Sequence, residues 1–442
     1  MTHPLTRPVA IIGAGSSGLV AARVFLQHGF DVQIFEREDD IGGNWNFGKP
    51  NARVYQSTHT ISSKPFTQFP DFPMPDEFPS YPHHSQILEY LRRYAEHYDL
   101  HRHIRLEHEV LETTPLSGGR GWRVTYREVG SDDIQSDIYR ALIVANGHNW
   151  SPKIPDVPGD FDGQIIHSAQ YREPSIFEDK TVLVVGAGNT GCDVVVQAAR
   201  HAKRALHSTR RGYWYAPKFV FGKPGDQIYD LMLSLPIPPR ILQTLLETSV
   251  RFSAGHPTKA GLKEPDHRFL ETHPVTNDLL VYYALHGRIE ARDDLLRFEG
   301  PQVVFKDGQR DDVDLVCYCT GYLISLPFLP DAFFQIDDGR PQLYLNIFSP
   351  RADDLFFVGL IQPDSGQFKL VHYQAVAAAR YLRAQTLRPD VAKRFRCRIA
   401  DKLGEAADGG IDYAGSTRHT LEVQHMDYIE KLDNTIADLR SH

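Results

Sequence analysis

The residues best suited to do chemistry in this chain are two glycine-rich motifs, one in each half. Residues 13–18 read Gly-Ala-Gly-Ser-Ser-Gly, and residues 186–191 read Gly-Ala-Gly-Asn-Thr-Gly. Each motif follows an apolar run typical of a buried strand and precedes a helix-like stretch. Glycines at this spacing allow a tight turn and a close approach of the backbone to a pyrophosphate, which the N–H groups of the helix N-terminus can bind. The pair therefore predicts two dinucleotide sites.

The residues after the first motif favour FAD. Glu36 ends the next predicted strand, about 20 residues after the motif, where a carboxylate binds ribose hydroxyl groups and repels a 2′-phosphate. Residues 41–45 read Ile-Gly-Gly-Asn-Trp. Paired glycines let the backbone approach a pyrophosphate, and a tryptophan can border a flavin. We therefore predict that the first motif binds FAD.

The strand after the second motif ends differently, in Arg210 and Arg211, with no carboxylate at the matching place. Guanidinium groups bind phosphate through paired hydrogen bonds, so that arginines here accommodate the 2′-phosphate of NADP. A solvated basic pair at a strand end is the alternative interpretation. We predict NADPH at this site.

Two dipeptides, Asn146-Gly147 and Thr320-Gly321, each follow a further apolar run. We interpret them as the two points at which the chain crosses between nucleotide-binding parts beside a flavin.

These residues require an α/β fold with two Rossmann-like dinucleotide-binding domains. We expect an FAD-binding domain from residues 1–168 and 308–442 and an NADPH-binding domain from residues 169–307. Strands are predicted at residues 9–12, 32–35, 122–126, 141–145 and 181–185, helices at residues 19–28, 85–97, 192–200 and 426–439, and irregular structure at residues 64–82. Residues 230–252 have helical spacing. They are predicted to cover the sheet, with a substrate entrance, a membrane surface or a subunit contact as alternatives.

The composition of the 442 residues, 41% apolar and 24% charged, is that of a soluble globular protein. A net charge of −8 gives no case for binding nucleic acid or an anionic membrane. There is neither a signal peptide nor an 18-residue apolar segment, which predicts a cytoplasmic protein. The histidines are scattered, and no metal site is predicted.

The cysteines are too few for a disulfide framework and form no C-x-x-C pair, which excludes a dithiol reductase. We expect all of them to be reduced thiols in the core: Cys192, Cys317, Cys319 and Cys397.

The sequence resembles the flavin-containing monooxygenases over nearly its whole length. Phe161, Gly163, His167 and Tyr171 match the fingerprint of that family, Phe-x-Gly-x-x-x-His-x-x-x-Tyr/Phe. Related Baeyer–Villiger enzymes usually have Trp at the last position, followed by Pro or Asp. The resemblance implies a soluble, bacterial-type monooxygenase and suggests that His167 orients the hinge between domains.

Residues 55–73 resemble the family segment that lies against the flavin, and residues 359–363 with the helix containing Gln374 resemble its C-terminal part. The motifs and the resemblance together assign these residues to FAD and NADPH: Gly13, Gly15, Ser17, Gly18, Glu36, Gly43, Asn44, Trp45, Thr60, Ile61, Ser62, Val110, Asn146, Gly147, Gly186, Gly188, Asn189, Thr190, Gly191, Arg210, Arg211, Thr320, Gly321 and Gln362.

One position departs from the family pattern. The family usually has Thr-Asn-x-Ser-Lys, in which the asparagine amide reaches the oxygenated flavin and the nicotinamide, whereas residues 60–64 read Thr-Ile-Ser-Ser-Lys. The isoleucine side chain forms no hydrogen bond, so that water, Ser62 or the ribose of NADP⁺ must replace the amide. His59 would face the same side as Ile61 in an extended segment. No side chain is assigned a catalytic role.

The resemblance implies that NADPH reduces FAD, that O₂ adds to give a C4a-hydroperoxide, and that a soft nucleophile such as an amine or sulfide takes the distal oxygen. Three alternatives stay open: a Baeyer–Villiger monooxygenase acting on ketones, an NADPH oxidase that releases H₂O₂ because of Ile61, and a nucleotide sensor without activity. Similar enzymes suggest a homodimer.

Overall fold

The computed structural model describes residues 7–118, 120–233, 238–337, 339–405, 407–411 and 421–440. The chain divides into two compact units. Unit 1 comprises Met1–Val54, Ser62–His148 and Ile324–His442, and unit 2 comprises Tyr55–Ile61 and Asn149–Leu323.

The elements of unit 1 come from both ends of the chain. The N-terminal part contains β1 (Val9–Ile12), α1 (Ser16–Gln27), β2 (Val32–Phe35), α2 (Lys64–Thr67), α3 (His84–His97), β3 (Ile104–Arg105), β4 (His108–Pro115), β5 (Trp122–Glu128), β6 (Ile134–Tyr139) and β7 (Ala141–Val144).

The elements of unit 2 follow along the chain. They are β8 (Ser151–Pro152), β9 (Gln164–His167), β10 (Thr181–Val185), α4 (Asn189–His201), β11 (Arg204–Ser208), β12 (Tyr215–Ala216), β13 (Phe219–Val220), β14 (Lys223–Pro224), α5 (Gly225–Leu233), α6 (Pro239–Ser253), β15 (Val275–Thr276), α7 (Leu279–Leu285), β16 (Glu290–Arg292), β17 (Leu295–Glu299), β18 (Gln302–Phe305), β19 (Arg310–Asp312), β20 (Leu315–Tyr318) and β21 (Tyr322–Leu323).

The chain then completes unit 1. This last part contains β22 (Ile336–Asp337), β23 (Arg340–Pro341), β24 (Leu355–Phe357), β25 (Gln362–Pro363), α8 (Phe368–Leu387), α9 (Pro389–Asp401), β26 (Glu422–Val423) and α10 (His425–Asp438).

Each unit is built on a parallel five-stranded sheet. The order is β24-β7-β1-β2-β3 in unit 1 and β16-β11-β10-β20-β9 in unit 2. In both sheets the strand before the glycine motif, β1 or β10, is central, and its four buried apolar residues explain the continuous hydrophobic runs in the sequence. The chain leaves each of these strands through a helix to one neighbouring strand, while the other neighbour arrives from elsewhere in the sequence. This is the topological switch point at which α/β sheets bind nucleotides.

The observed elements confirm the α/β fold, with shifted boundaries. Helices α1 and α4 begin three residues before the predicted starts at residues 19 and 192. The last three residues of each glycine motif already form the first turn of the helix, which the apolar pattern alone does not indicate. Residues 64–82 are irregular except for the short α2. All four cysteines are free thiols, as predicted, but the predicted core location is wrong for Cys397, which is exposed, whereas the other three are buried.

The two units differ from the predicted ranges 1–168, 169–307 and 308–442. Strands β9 and β20, which those ranges assigned to the FAD-binding part, pair with each other and extend the sheet of β10. Parallel pairing joins strands that are far apart in the sequence, so that sequence order alone did not indicate that β9 and β20 belong to the sheet of β10. Of the predicted helical stretch 230–252, residues 230–233 belong to α5 and residues 239–252 to α6, while residues 234–237 lie outside the described residues. Helix α6 buries Leu242, Leu246 and Val250 and leaves Ile241 and Leu245 exposed.

Candidate functional site

The first glycine motif forms a sharp turn at the end of β1. Gly13 has a φ of +102°, and a Cβ there would lie 2.7 Å from the carbonyl oxygen of Ala145. A Cβ on Gly18 would collide with the carbonyl of Gly13, so that α1 packs against the turn only because glycine is present. Gly15 caps α1 without a side chain, which leaves the first N–H groups of the helix available to a phosphate.

Glu36 is tied to this turn. Its Oε2 accepts a 2.7 Å hydrogen bond from the Ala14 N–H and its Oε1 accepts one of 3.0 Å from the Glu38 N–H. Burial raises the pKa of the Glu36 carboxyl, and the two backbone donors partly oppose that shift. A carboxylate oxygen has two acceptor positions, so that Glu36 keeps acceptor capacity for ribose hydroxyl groups.

The Gly-Gly element lies against the same turn. The N–H of Gly42 donates to the carbonyl of Ala14 at 3.0 Å. A Cβ on Gly43 would lie 3.2 Å from the Cα of Gly15, which shows that the two backbones face each other. Asn44 and Trp45 complete the 3₁₀ turn that begins at Gly43. The structure therefore brings the glycine turn, Glu36 and residues 42–45 together.

Other predicted residues of unit 1 make local contacts instead. Ser17 Oγ occupies the space where Gly359 would carry a Cβ, and Ser62 Oγ lies 2.9 Å from Thr67 Oγ1. Val110 is partly buried and packs against the core cluster that contains residues of β5. The amide of Asn146 donates to the Ser325 carbonyl at 3.3 Å, and the Gln362 N–H donates to the Leu421 carbonyl at 2.7 Å.

The second glycine motif repeats this geometry in unit 2. Gly186 has a φ of +119°, and a Cβ there would collide with the carbonyl of Cys319, as one on Gly13 would approach that of Ala145. A Cβ on Gly191 would collide with the Gly186 carbonyl, and Gly188 caps α4 without a side chain. Unit 2 therefore offers a second helix N-terminus to a phosphate.

The side chain of Asn189 is less available to a ligand than the sequence suggests. Its Nδ2 donates to the Pro274 carbonyl at 3.0 Å, and its Oδ1 accepts from the Thr276 N–H at 2.8 Å. The side chain therefore anchors the segment around β15 to the start of α4. The neighbouring Thr190 lies in the first turn of α4 and is partly buried.

The two arginines after β11 have different surroundings. The Arg211 guanidinium forms a two-point ion pair with Asp266, with Nη2 2.7 Å from Oδ1 and Nε 3.0 Å from Oδ2. This pairing raises the pKa of Arg211 and lowers that of Asp266. Arg210 is exposed, and its guanidinium forms no ion pair with any residue that the structure describes. Arg210 is therefore the arginine that is available to a 2′-phosphate.

The dipeptides Asn146-Gly147 and Thr320-Gly321 occupy equivalent positions in the two sheets, each after a strand that neighbours the central one. Asn146-Gly147 follows β7 and Thr320-Gly321 follows β20, and both glycines have positive φ, 73° and 82°. The division between units falls after residues 148 and 323, close to both dipeptides.

His167 holds the second dipeptide. Its Nε2 lies 3.1 Å from the Gly321 carbonyl, while its Nδ1 accepts from the Ala169 N–H, so that Nε2 is the protonated nitrogen. The buried His167 thus makes structural contacts within unit 2, and its orientation of a hinge stays a prediction.

Sequence reasoning missed a polar cluster that holds residues 55–61 on unit 2. The Tyr55 hydroxyl and the Asn277 amide both donate to the carboxylate of Asp193, and Lys218 Nζ donates to the Thr60 carbonyl at 3.2 Å. One signal was available in the sequence, because Asp193 is a single acid in an otherwise apolar stretch of α4, Cys192 to Val196. Ile61, at the end of the segment, is 38% exposed.

Each unit thus fits one dinucleotide, with an acid beside the first turn and arginines beside the second. Among the described residues, no helix is both long and apolar enough to cross a membrane.

The model of the family described as flavin-binding monooxygenase-like matches residues 6–440 of the chain. Flavin-containing monooxygenase 2 of Homo sapiens is 33% identical over 455 residues, which cover 97% of this chain and 82% of the human protein.

Two solved structures share the fold. The structure of S-allyl-L-cysteine S-oxygenase from Allium sativum has a TM-score of 0.67 at 24% identity, covering 98% of this chain and 88% of that one. A crystal structure of OTEMO in complex with FAD and NADP has a TM-score of 0.70 at 18% identity, covering 98% of both chains. At such identities the likeness shows the fold alone, which is that of two-dinucleotide flavoproteins.

Proposed function

The chain belongs to the flavin-binding monooxygenase-like family, and from that premise we propose that it oxygenates a soft nucleophile at nitrogen or sulfur. Family membership makes it an FAD- and NADPH-dependent monooxygenase. The observation that carries the proposal is the repeated glycine turn, followed by Glu36 in unit 1 and by Arg210 and Arg211 in unit 2.

We assign FAD to unit 1. The N–H groups at the start of α1 bind its pyrophosphate, Glu36 accepts hydrogen bonds from its ribose, and the backbone at Gly43 approaches the phosphates. Glu36 also disfavours NADPH at this site, because its carboxylate repels a 2′-phosphate. When bound, the flavin supplies the redox and oxygen-transfer chemistry.

We assign NADPH to unit 2. The start of α4 binds the pyrophosphate, and Arg210 binds the 2′-phosphate by charge-assisted hydrogen bonds. Arg211 contributes when it exchanges Asp266 for the phosphate, and this exchange costs it an existing ion pair. The discrimination between NADPH and NADH therefore depends mainly on Arg210.

The proposed substrate class is one whose oxygenation needs no general base from the chain. A tertiary amine or a sulfide attacks with its own lone pair, so that no side chain has to remove a proton from it. Tyr171, at the last fingerprint position, favours this class over the ketones of Baeyer–Villiger enzymes, which usually have Trp there. The human relative is named as a flavin-containing monooxygenase and the garlic neighbour as an S-oxygenase.

The test is a product balance with the FAD-loaded enzyme in air. N,N-dimethylaniline, methyl p-tolyl sulfide and cyclohexanone are supplied in turn, and consumed NADPH is compared with N-oxide, sulfoxide, lactone and H₂O₂. We expect N-oxide or sulfoxide to account for most of the NADPH. Lactone as the main product would refute the proposal in favour of ketone oxidation.

Ile61 favours a second candidate, an NADPH oxidase. Its side chain cannot hydrogen-bond the oxygenated cofactor, and that bond is the one the family asparagine usually makes. H₂O₂ equal to consumed NADPH with every nucleophile tested would support the oxidase. Bound FAD that NADPH fails to bleach under anaerobic conditions would instead indicate a nucleotide sensor.

A further inference from the structure

A cavity of about 560 Å³ lies on unit 1, among the C-terminal end of α1, the middle of α8 and the last turns of α10. Helix α1 has 12 residues and is therefore about 18 Å long. Its N-terminus is the proposed FAD pyrophosphate site, whereas His28, just beyond its C-terminal end, lines the cavity. The cavity is thus separate from the proposed flavin site.

Three arginines line this cavity: Arg380, Arg383 and Arg440. In the part of the chain that the structure describes, none of them forms an ion pair. Burial lowers the pKa of Arg380, and the neighbouring charges of Arg440 and Arg388 lower it further. The same positive field, from Arg380 and Arg383, adds to burial in lowering the pKa of His28. The cavity therefore holds three guanidinium groups against the single carboxylate of Asp433, in a chain whose net charge is −8. A bound anion would neutralise this local excess of positive charge.

The cationic wall is partly fixed in place. Arg380 Nη1 donates to the Ile436 carbonyl at 2.9 Å, near the C-terminus of α10, where the helix dipole favours a cation. His372, which also lines the cavity, is 9% exposed, and its Nδ1 lies 3.7 Å from Asp71 Oδ1. A cation held by the backbone is ready to bind an anion with little loss of side-chain freedom.

The remaining wall is mixed, with the polar Gln27, His28 and Asp433 beside apolar side chains. Tyr373, Val376 and Ile436 line the cavity beside the arginines. A volume of about 560 Å³ falls in the range of small-molecule sites, which combine an apolar lining with a few polar groups. An inorganic ion would fill only a small part of this space.

We propose that this cavity binds an organic phosphate, whose anionic group contacts Arg380, Arg383 and Arg440 and whose apolar body lies against Tyr373 and Val376. Guanidinium groups suit the tetrahedral phosphate because each can donate two parallel hydrogen bonds. The site is independent of the proposed oxygenation reaction.

The test is a calorimetric titration of the FAD-loaded enzyme with phenyl phosphate as the probe, at constant ionic strength. Inorganic phosphate and phenol are titrated separately to measure the contribution of each half. The variants are Arg383→Gln and Arg440→Gln, which remove side chains that form no hydrogen bond with any described residue. Arg394→Gln is the control, because the Arg394 side chain is 70% exposed and, among the described residues, pairs only with Asp390 on the same helix.

We expect phenyl phosphate to bind one site, and to bind more tightly than either half. Each of the two variants should weaken binding by about tenfold, the usual effect of losing a charge-assisted contact, and Arg394→Gln should leave it unchanged. Displacement of phenyl phosphate by NADP⁺ would overturn the proposal, because the probe would then occupy the nucleotide site. Equal weakening by all three variants, or no binding at all, would also overturn it.

Discussion

The hydroxyl of Tyr55 donates a 2.7 Å hydrogen bond to Oδ2 of Asp193, 138 residues further along the chain. Oδ1 of the same carboxylate accepts a 2.6 Å hydrogen bond from Asn277, and the Tyr55 ring lies 5.3 Å from that of Tyr171, the last fingerprint residue. Residues 55–61 are therefore part of unit 2, although the chain on both sides of them belongs to unit 1. Ile61, which the family resemblance places at the usual asparagine, is consequently carried by unit 2.

The Asp193 carboxyl should make stability depend on pH. Burial raises its pKa in the folded protein despite hydrogen bonds from Tyr55 and Asn277. The unfolded chain therefore releases the proton first, and stability falls as pH rises from about 4. Asp193→Asn removes this titration, so that its free energy of unfolding should rise relative to wild type between pH 4 and pH 7.5. Urea unfolding across this range measures the difference.

The exposed Asp132 provides the control for Asp193. Asp132→Asn should follow wild type at every pH. A difference between wild type and Asp193→Asn that stays constant with pH would show that Asp193 is charged in the folded protein throughout the range.

His207 should produce the opposite pH dependence. It is 1% exposed, its Nε2 lies 2.9 Å from the Gly186 carbonyl, and burial lowers its pKa to about 4. Between about pH 6.5 and pH 4 the unfolded chain takes up a proton that the folded protein excludes, so that stability falls as pH falls. The full loss is about 3 kcal/mol, at 1.36 kcal/mol for each unit of pKa.

His207→Gln retains a donor but does not titrate. We expect its stability to fall less than that of wild type between pH 7 and pH 5, as measured by chemical unfolding of both proteins. His101→Gln, at an exposed histidine, should behave as wild type does. An identical slope for His207→Gln and wild type would contradict the prediction.

The two arginines after β11 should differ in their effect on the KM for NADPH. Arg210 has no ion pair in the described structure, whereas Arg211 is held by Asp266. Arg210→Gln should therefore raise the KM for NADPH by about tenfold, equivalent to about 1.4 kcal/mol of binding free energy, and leave the KM for NADH unchanged. Arg211→Gln should have a smaller effect.

Asp266→Asn gives an independent measurement of the same arrangement. It frees Arg211, so that the KM for NADPH should fall in Asp266→Asn if the guanidinium then binds the 2′-phosphate. Steady-state rates of wild type and the three variants with NADPH and with NADH give the KM values to be compared. A larger effect from Arg211→Gln than from Arg210→Gln would reverse the assignment of the main phosphate contact.

Ile61→Asn should improve the yield of oxygenated product per NADPH. Because Ile61 is 38% exposed, an amide there does not bury an unsatisfied polar group, and it restores the hydrogen-bonding side chain of the family. The share of NADPH that appears as H₂O₂ should fall, while the free energy of unfolding stays within about 0.5 kcal/mol of wild type. An unchanged H₂O₂ share would mean that another group already fills this role.

His59→Ala tests that substitute. His59 is exposed, and its Nδ1 lies 3.0 Å from the Ser57 carbonyl. If His59 replaces the family amide, His59→Ala should increase the H₂O₂ share. An unchanged yield of product per NADPH would eliminate His59 from this role.

The two glycine turns could be predicted from the sequence because their requirements are local. Gly13 and Gly186 adopt backbone angles that other residues rarely adopt, and each follows a strand recognisable by its apolar run. The position of Glu36 beside the first turn could be predicted for the same reason, since the end of the next strand stands at a fixed distance along the chain. The α/β fold and the pair of cofactors followed from these short patterns.

Only the tertiary structure decided which of the predicted residues remain available to a ligand. Arg211 is paired with Asp266, 55 residues away, and the amide of Asn189 is used by the segment around β15. The cavity lined by Arg380 and Arg440 likewise joins helices from opposite ends of the chain. Such contacts depend on the packing of segments that are distant in the sequence, and local backbone and hydrophobic patterns contain no information about that packing.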